Sequence, residues 1–124
     1  MGDLSEHFDR EEFACRCGCG FGLDPYDVDL ELVAALEMLR ELVGVPIHIN
    51  SGCRCKSHNR RVGGAKNSRH MVGDAADIHC KGVLPFRLAS LAKKVPAFND
   101  GGIGIYEHWV HVDTRDGKAR WGEE

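Results

Sequence analysis

The apolar residues of this chain follow two spacings. Between residues 24 and 44, Val28, Leu32, Leu36, Leu39 and Val43 recur three or four apart, which lines one face of a helix. Asp24 followed by Pro25 is a start signal for that helix, and Gly44 with Pro46 is a stop. A second helical pattern opens at Pro85 and turns Leu88, Leu91, Ala92 and Val95 inward. Elsewhere the period falls to two. Val45, Ile47 and Ile49 alternate in a short strand, AADIHC at 75–80 is a second, and residues 102–115 read as a hairpin turning at Glu107 and His108. On the return strand Trp109, His111 and Asp113 share one face, with Val110 and Val112 on the other. Residues 51–74 read as one long loop. These elements predict an α+β fold, a small antiparallel sheet with helices packed on one side.

A length of 124 residues sets one domain, 1–124, with one modest core. The net charge of −3 provides no broad basic face, which excludes nucleic acid as the expected partner. No stretch approaches the roughly 18 apolar residues of a membrane span, so no membrane partner is expected either. The opening MGDLSEHFDREEF is acidic and is no secretory signal, so the chain is expected to be cytoplasmic as synthesised, and a monomer.

Six cysteines change the picture. Cys15, Cys17 and Cys19 crowd a loop at 13–22, Cys53 and Cys55 form a second group, and Cys80 stands alone. Cysteines two apart are poorly placed to bridge each other, so any bond or ion would tie the first loop to the second. A second, structural metal site, disulfides and free thiols all stay open for Cys15, Cys17, Cys19 and Cys55.

Asp77 poses the chemical question. It sits at the head of a strand that reads as buried, where an ionised carboxylate is costly without a cation or several hydrogen bonds. His70 lies seven residues earlier, across a turn at Gly73, and His111 lies within the last strand. Two imidazoles and one carboxylate, with a fourth position open, make a catalytic rather than a structural zinc arrangement. Asp113, on the same face as His111, suits an acceptor for a ligand histidine. His7, His48, His58 and His79 belong to no motif and are read as satisfied or exposed.

The stretch SGCRCKSHNRRVGGAKNSRHMVGDAADI, followed by GGIGIYEHWVHVDTR, is similar to the zinc D-Ala-D-Ala carboxypeptidase and dipeptidase family. That family shares its fold with the Hedgehog signalling domain and includes phage-encoded cell-wall peptidases. Its Ser-x-His-x-x-Gly-x-Ala-x-Asp pattern is met by Ser68, His70, Gly73, Ala75 and Asp77, and its Val-His-Val-Asp strand by Val110 to Asp113. An upstream element is met by Ser51, Gly52, Arg54 and Asn59, while EFACRCGCG and the closing ARW resemble its small stand-alone branch.

The resemblance implies one catalytic Zn2+ on His70, Asp77 and His111. It implies that Arg54 holds a carboxylate or carbonyl oxygen of the substrate, with Ser68 on the same side, where Ser68 and Asn59 also brace the long loop. His108 or Glu107 is the implied general base. Three positions depart from the pattern. Cys53 replaces an aromatic, His108 stands where the dipeptidase branch has Glu, and Trp109 stands where other branches have His. The implied substrate is a peptidoglycan stem peptide containing D-amino acids. The implied activity is that of a D-Ala-D-Ala carboxypeptidase, with an endopeptidase or a non-catalytic zinc-binding recognition domain as alternatives. Release by lysis or carriage in a virion would bring such a chain to a cell wall.

Overall fold

In the structure, a computed structural model that describes residues 2–24 and 26–122, an N-terminal arm leads into a short helix α1 (Arg10–Phe13) and the main helix α2 (Leu30–Val43). Strand β1 (His48–Ser51) and helix α3 (Lys56–Arg61) follow, then a 3-10 turn at Arg69–Val72 and strand β2 (Ala75–His79). Helices α4 (Pro85–Ala92) and α5 (Pro96–Asn99) precede strands β3 (Gly102–Ile105), β4 (Val110–Asp113) and β5 (Ala119–Trp121). Among the described residues no helix is long and apolar enough to cross a membrane.

The strands make one sheet in the order β1-β2-β4-β3-β5. Its first four strands pair antiparallel, as the alternation predicts. The fifth runs parallel to β3 and is an addition to the expected sheet. A three-residue edge strand is too short to show a period, which is why the pattern missed it.

Alternation divides the sheet into two unlike faces. Ile49, Ala76, Ile78, Ile103, Val110 and Val112 join one core cluster with Leu32, Leu36 and Leu39 of α2, Leu88 and Ala92 of α4, and Phe98 of α5. The opposite face carries Ser51, Asp77, His111, Asp113 and the glycines of β3. The expectation of helices on one side holds for α2, α4 and α5, and that packing leaves the other side for chemistry.

Two boundaries differ from the sequence reading. Helix α2 starts at Leu30, because the Asp29 carboxylate accepts the Glu31 N–H at 3.0 Å and acts as the cap. Asp24 instead lies in a turn organised by Asp27, whose carboxylate accepts the Gly22 and Asp24 N–H groups, and Pro25 lies outside the described residues. Val28 and Val33 are both buried at the spacing of a hydrophobic staple around that cap. The supposed loop at 51–74 contains α3 and the 3-10 turn. The acidic N-terminal arm is anchored by Phe8 and Phe13, both fully buried with ring centroids 6.0 Å apart.

Candidate metal centre and cleft

The Ser-x-His-x-x-Gly spacing has a local cause. Ser68 caps the 3-10 turn by accepting the His70 N–H on its hydroxyl at 3.2 Å, and Gly73 ends the turn with a φ of +78°. A Cβ at Gly73 would lie 1.9 Å from the Asp27 carbonyl oxygen, so no other residue fits. The chain then enters β2, and alternation puts Ala76 and Ile78 in the core and Asp77 on the open face.

Register supplies the rest. Asp77 pairs with Ser51 on one side and His111 on the other; His111 pairs with Gly104, and Gly104 with Trp121. One row, Ser51, Asp77, His111, Gly104 and Trp121, thus crosses all five strands on the open face. The alternation of glycine and isoleucine in GGIGI follows from it. Ile103 and Ile105 face the helices. A Cβ at Gly102 would come within 2.3 Å of the Asp113 carboxylate, and one at Gly104 within 2.1 Å of the Trp121 indole.

His70 Nε2 and His111 Nδ1 lie 3.2 and 3.1 Å from the same atom, Oδ1 of Asp77. The remaining ring nitrogens are committed elsewhere. His70 Nδ1 donates to the Gly52 carbonyl at 2.6 Å, and His111 Nε2 donates to Asp113 Oδ2 at 2.7 Å. In each neutral ring the free lone pair therefore faces Asp77. Asp113, fully buried, is itself fixed by the Gly102 N–H at 2.8 Å and by the Arg115 guanidinium at 2.7 and 2.9 Å. Arg54, Asp77 and both histidines are mostly buried.

Electrostatics favour a cation at this point. Burial pushes the Asp77 carboxyl up, but the His111 and His70 rings, which donate to it when protonated, outweigh burial and hold the group well below the usual carboxylate range. Burial likewise opposes charge on His111, and its bonds to Asp113 and Asp77 overcome this and raise its pKa. Two nitrogens and one carboxylate oxygen, each oriented by a second partner, suit a divalent ion such as zinc, and among the described residues no fourth protein ligand belongs to this group.

The site opens into a cleft of about 620 Å³, walled by the α3 helix and the 62–70 segment on one part and by Tyr106, Trp109, Arg115 and Trp121 on another. Tyr106 stacks on Trp109 at 4.8 Å, and the Trp121 indole N–H donates to the Tyr106 hydroxyl at 2.9 Å. The Trp109 Nε1–H is buried without a hydrogen-bond partner among the described residues. Arg54 also lines the cleft. Its guanidinium donates to Asn59 at 2.9 Å, to Ser51 at 3.3 Å and to Asp77 Oδ2 at 3.3 Å, so it is held beside the ligand carboxylate.

The chain belongs to the peptidase M15 family. That family matches residues 6–113, which include the whole His70, Asp77 and His111 set. Among similar proteins, the peptidoglycan L,D-endopeptidase MepK of Escherichia coli (strain K12) is 33% identical over 102 residues, covering 75% of this chain and 53% of that one. The zinc D-Ala-D-Ala carboxypeptidase of Streptomyces albus G is 50% identical over 87 residues, covering 69% of this chain and 34% of that one. The chain thus spans about half the length of the first relative and a third of the second.

Not every expected site residue meets the cleft. Ser68 and Arg54 line it, and Asn59 braces the loop by donating to the Ala65 carbonyl. Glu107 and His108 do not line it. They face solvent on the β3–β4 turn, 86% and 79% exposed, and pair with each other at 3.0 Å. Cys53 is a core residue rather than a cleft wall, with burial pushing its thiol up to about 12. The aromatic walls of the cleft are Tyr106, Trp109 and Trp121. His58, read as uninvolved, does line the cleft from α3. Strand alternation already put Trp109 beside His111, whereas Tyr106 and Trp121 carried no signal without the register.

Proposed function

We propose that this M15 chain is a zinc peptidase of bacterial cell-wall peptides and that it acts as a D-Ala-D-Ala carboxypeptidase. The observation that carries this reading is the pinned Arg54 guanidinium beside Asp77, in a cleft that also exposes Arg16, Arg69 and Arg115. A guanidinium fork matches a carboxylate in two hydrogen bonds, and a C-terminal D-alanine ends in one.

Zinc, when bound by His70, Asp77 and His111, supplies a Lewis acid and acidifies water. The protein holds both imidazoles as neutral ligands through Gly52 and Asp113, and Arg54 orients the peptide terminus. Tyr106, Trp109 and Trp121 shield one side of the reacting bond from water. His108 and Glu107 lie outside the cleft on the turn next to Tyr106 and Trp109, so proton transfer to the leaving amine by either requires that turn to close over bound substrate. Catalytic hydrogen bonds in unliganded sites are often long and tighten only when substrate binds.

An endopeptidase is the second reading. A cleft of about 620 Å³ is in the size range of sites for multi-residue ligands. Mass spectrometry of muropeptides separates the two. Loss of terminal alanine from pentapeptide stems is the expected result, and conversion of cross-linked dimers to monomers would assign the endopeptidase instead. If the zinc-loaded protein cleaves neither, while His70→Ala behaves identically, the chain is a recognition domain and the enzyme reading is overturned.

A further inference from the structure

A second group of metal-ligand atoms lies outside the cleft. The Sγ atoms of Cys15, Cys17, Cys19 and Cys55 all lie within 4.8 Å of one another, although Cys55 is some forty residues from the others along the chain. Cys17 Sγ is 3.4 Å from Cys15 Sγ and 3.6 Å from Cys55 Sγ. Four thiolates bound to one zinc at about 2.3 Å would sit about 3.8 Å apart, close to that spacing.

The remaining two cysteines show that the grouping is selective. Cys53 points its thiol at the Asp27 carbonyl in the core, and Cys80 is buried beside an isolated bridge to Val83.

The backbone is arranged around the sulfurs as well. The Cys55 N–H donates to Cys15 Sγ at 3.4 Å, and the His58 N–H donates to Cys55 Sγ at 3.4 Å from the first turn of α3. Amide donors of this kind stabilise sulfur that carries negative charge. The 15–21 bend is closed by the Cys15 N–H on the Phe21 carbonyl at 2.7 Å. Gly18 and Gly20, with φ of +83° and +92°, flank Cys19 and let the loop reverse so that three sulfurs face one point. A disulfide pairing would join the sulfurs in twos and leave those amides without purpose, whereas all four converge on one centre.

We propose that Cys15, Cys17, Cys19 and Cys55 hold a second zinc ion in a closed, four-sulfur structural site that fastens the N-terminal loop to the start of α3. The ion leaves no open position, so it has no part in hydrolysis. It fixes the segment between Cys53 and Cys55, whose neighbouring Arg54 N–H bonds to the His70 carbonyl at 2.9 Å.

The test is metal content and cobalt spectroscopy on the full chain, expressed with zinc or reconstituted with Co2+. Wild type is expected to carry two ions per chain and to show intense sulfur-to-cobalt charge-transfer absorption. His70→Ala should drop to one ion and keep that absorption, which separates this site from the cleft. Cys17→Ser with Cys19→Ser should drop to one ion and lose it. Should that variant not fold, Cys19→His keeps four ligands and should retain two ions with weaker charge-transfer absorption. One ion per chain in wild type without charge-transfer absorption overturns the proposal. So does a disulfide among these four cysteines in protein isolated with zinc and without added oxidant.

Discussion

The two ligand groups of this molecule are made from different parts of the fold. His70, Asp77 and His111 ride on the capped 3-10 turn and two central strands. Their ring nitrogens are locked by Gly52 and Asp113, and Asp113 is locked in turn by Arg115 and Gly102. The cysteines ride on a glycine-rich bend and the first residue before α3, two of them exposed, with only backbone amides behind their sulfurs. The first group has three ligands, faces a cleft and is preorganised before any ion arrives. The second has four, is closed, and joins two segments far apart along the chain. The number of ligands and the rigidity of their supports thus separate a site for chemistry from a site for fastening.

Removing a cleft ligand should have the largest effect. His111→Ala is expected to abolish peptide hydrolysis and release one zinc, with the cysteine-bound ion retained, as read by metal analysis and muropeptide turnover. Loss of both ions would show that the two sites are not independent. Asp113→Asn leaves all three ligands but weakens the orientation of His111, and should cost roughly 10–100-fold in metal affinity or activity. An effect on metal affinity with no change in the cysteine site would sharpen the contrast between supports.

Arg54→Ala should raise KM roughly tenfold or more for a stem ending in a free carboxylate, since it removes a charged hydrogen bond. The same variant should matter little for a cross-linked substrate lacking that terminus. Gly104→Ala would place a methyl group against Trp121, and overpacking of this kind costs about 1–3 kcal/mol, measurable as a lower Tm.

The smallest expected effect is on the acid side. Glu37 anchors the N-terminal arm, accepting from Ser5 and from the His7 backbone. Burial pushes its carboxyl up, yet these bonds and that to the His7 ring outweigh burial and hold it below the ordinary glutamate range. Its folded pKa is depressed, so its contribution is present above the unfolded value of about 4.3 and is lost as pH falls through the folded one. Amide protection in the arm, taken relative to the intrinsic exchange rate at each pH, should fall on acidification before that of the strands, and Glu37→Gln should remove that pH dependence.

Much of the cleft was legible in the sequence because its parts obey short-range rules. Ser68 and Gly73 bound a turn of fixed length, alternation sets Asp77 and His111 on one face, and Asp113 falls two residues beyond His111. The Asp29 cap was missed because Asp24-Pro25 offers a stronger local signal, and only the contact of Asp29 with the Gly73 carbonyl, through its own N–H, shows which aspartate the fold uses. Tyr106 and Trp121 were not legible, since β5 meets β3 by a parallel pairing that no local pattern encodes. The exposed placement of Glu107 and His108 follows from a turn whose side chains no strand periodicity constrains. The meeting of Cys55 with the first three cysteines is a tertiary contact, so spacing could name the partners without choosing among ion, bridge and free thiol.

A crystal grown with zinc and measured across the zinc absorption edge tests the central claim most directly. The expected result is an anomalous peak bonded to His70 Nε2, His111 Nδ1 and an Asp77 oxygen, with its remaining coordination turned toward the cleft. Density for a fourth protein side chain on that ion, or no peak between those three residues at full zinc, would contradict it.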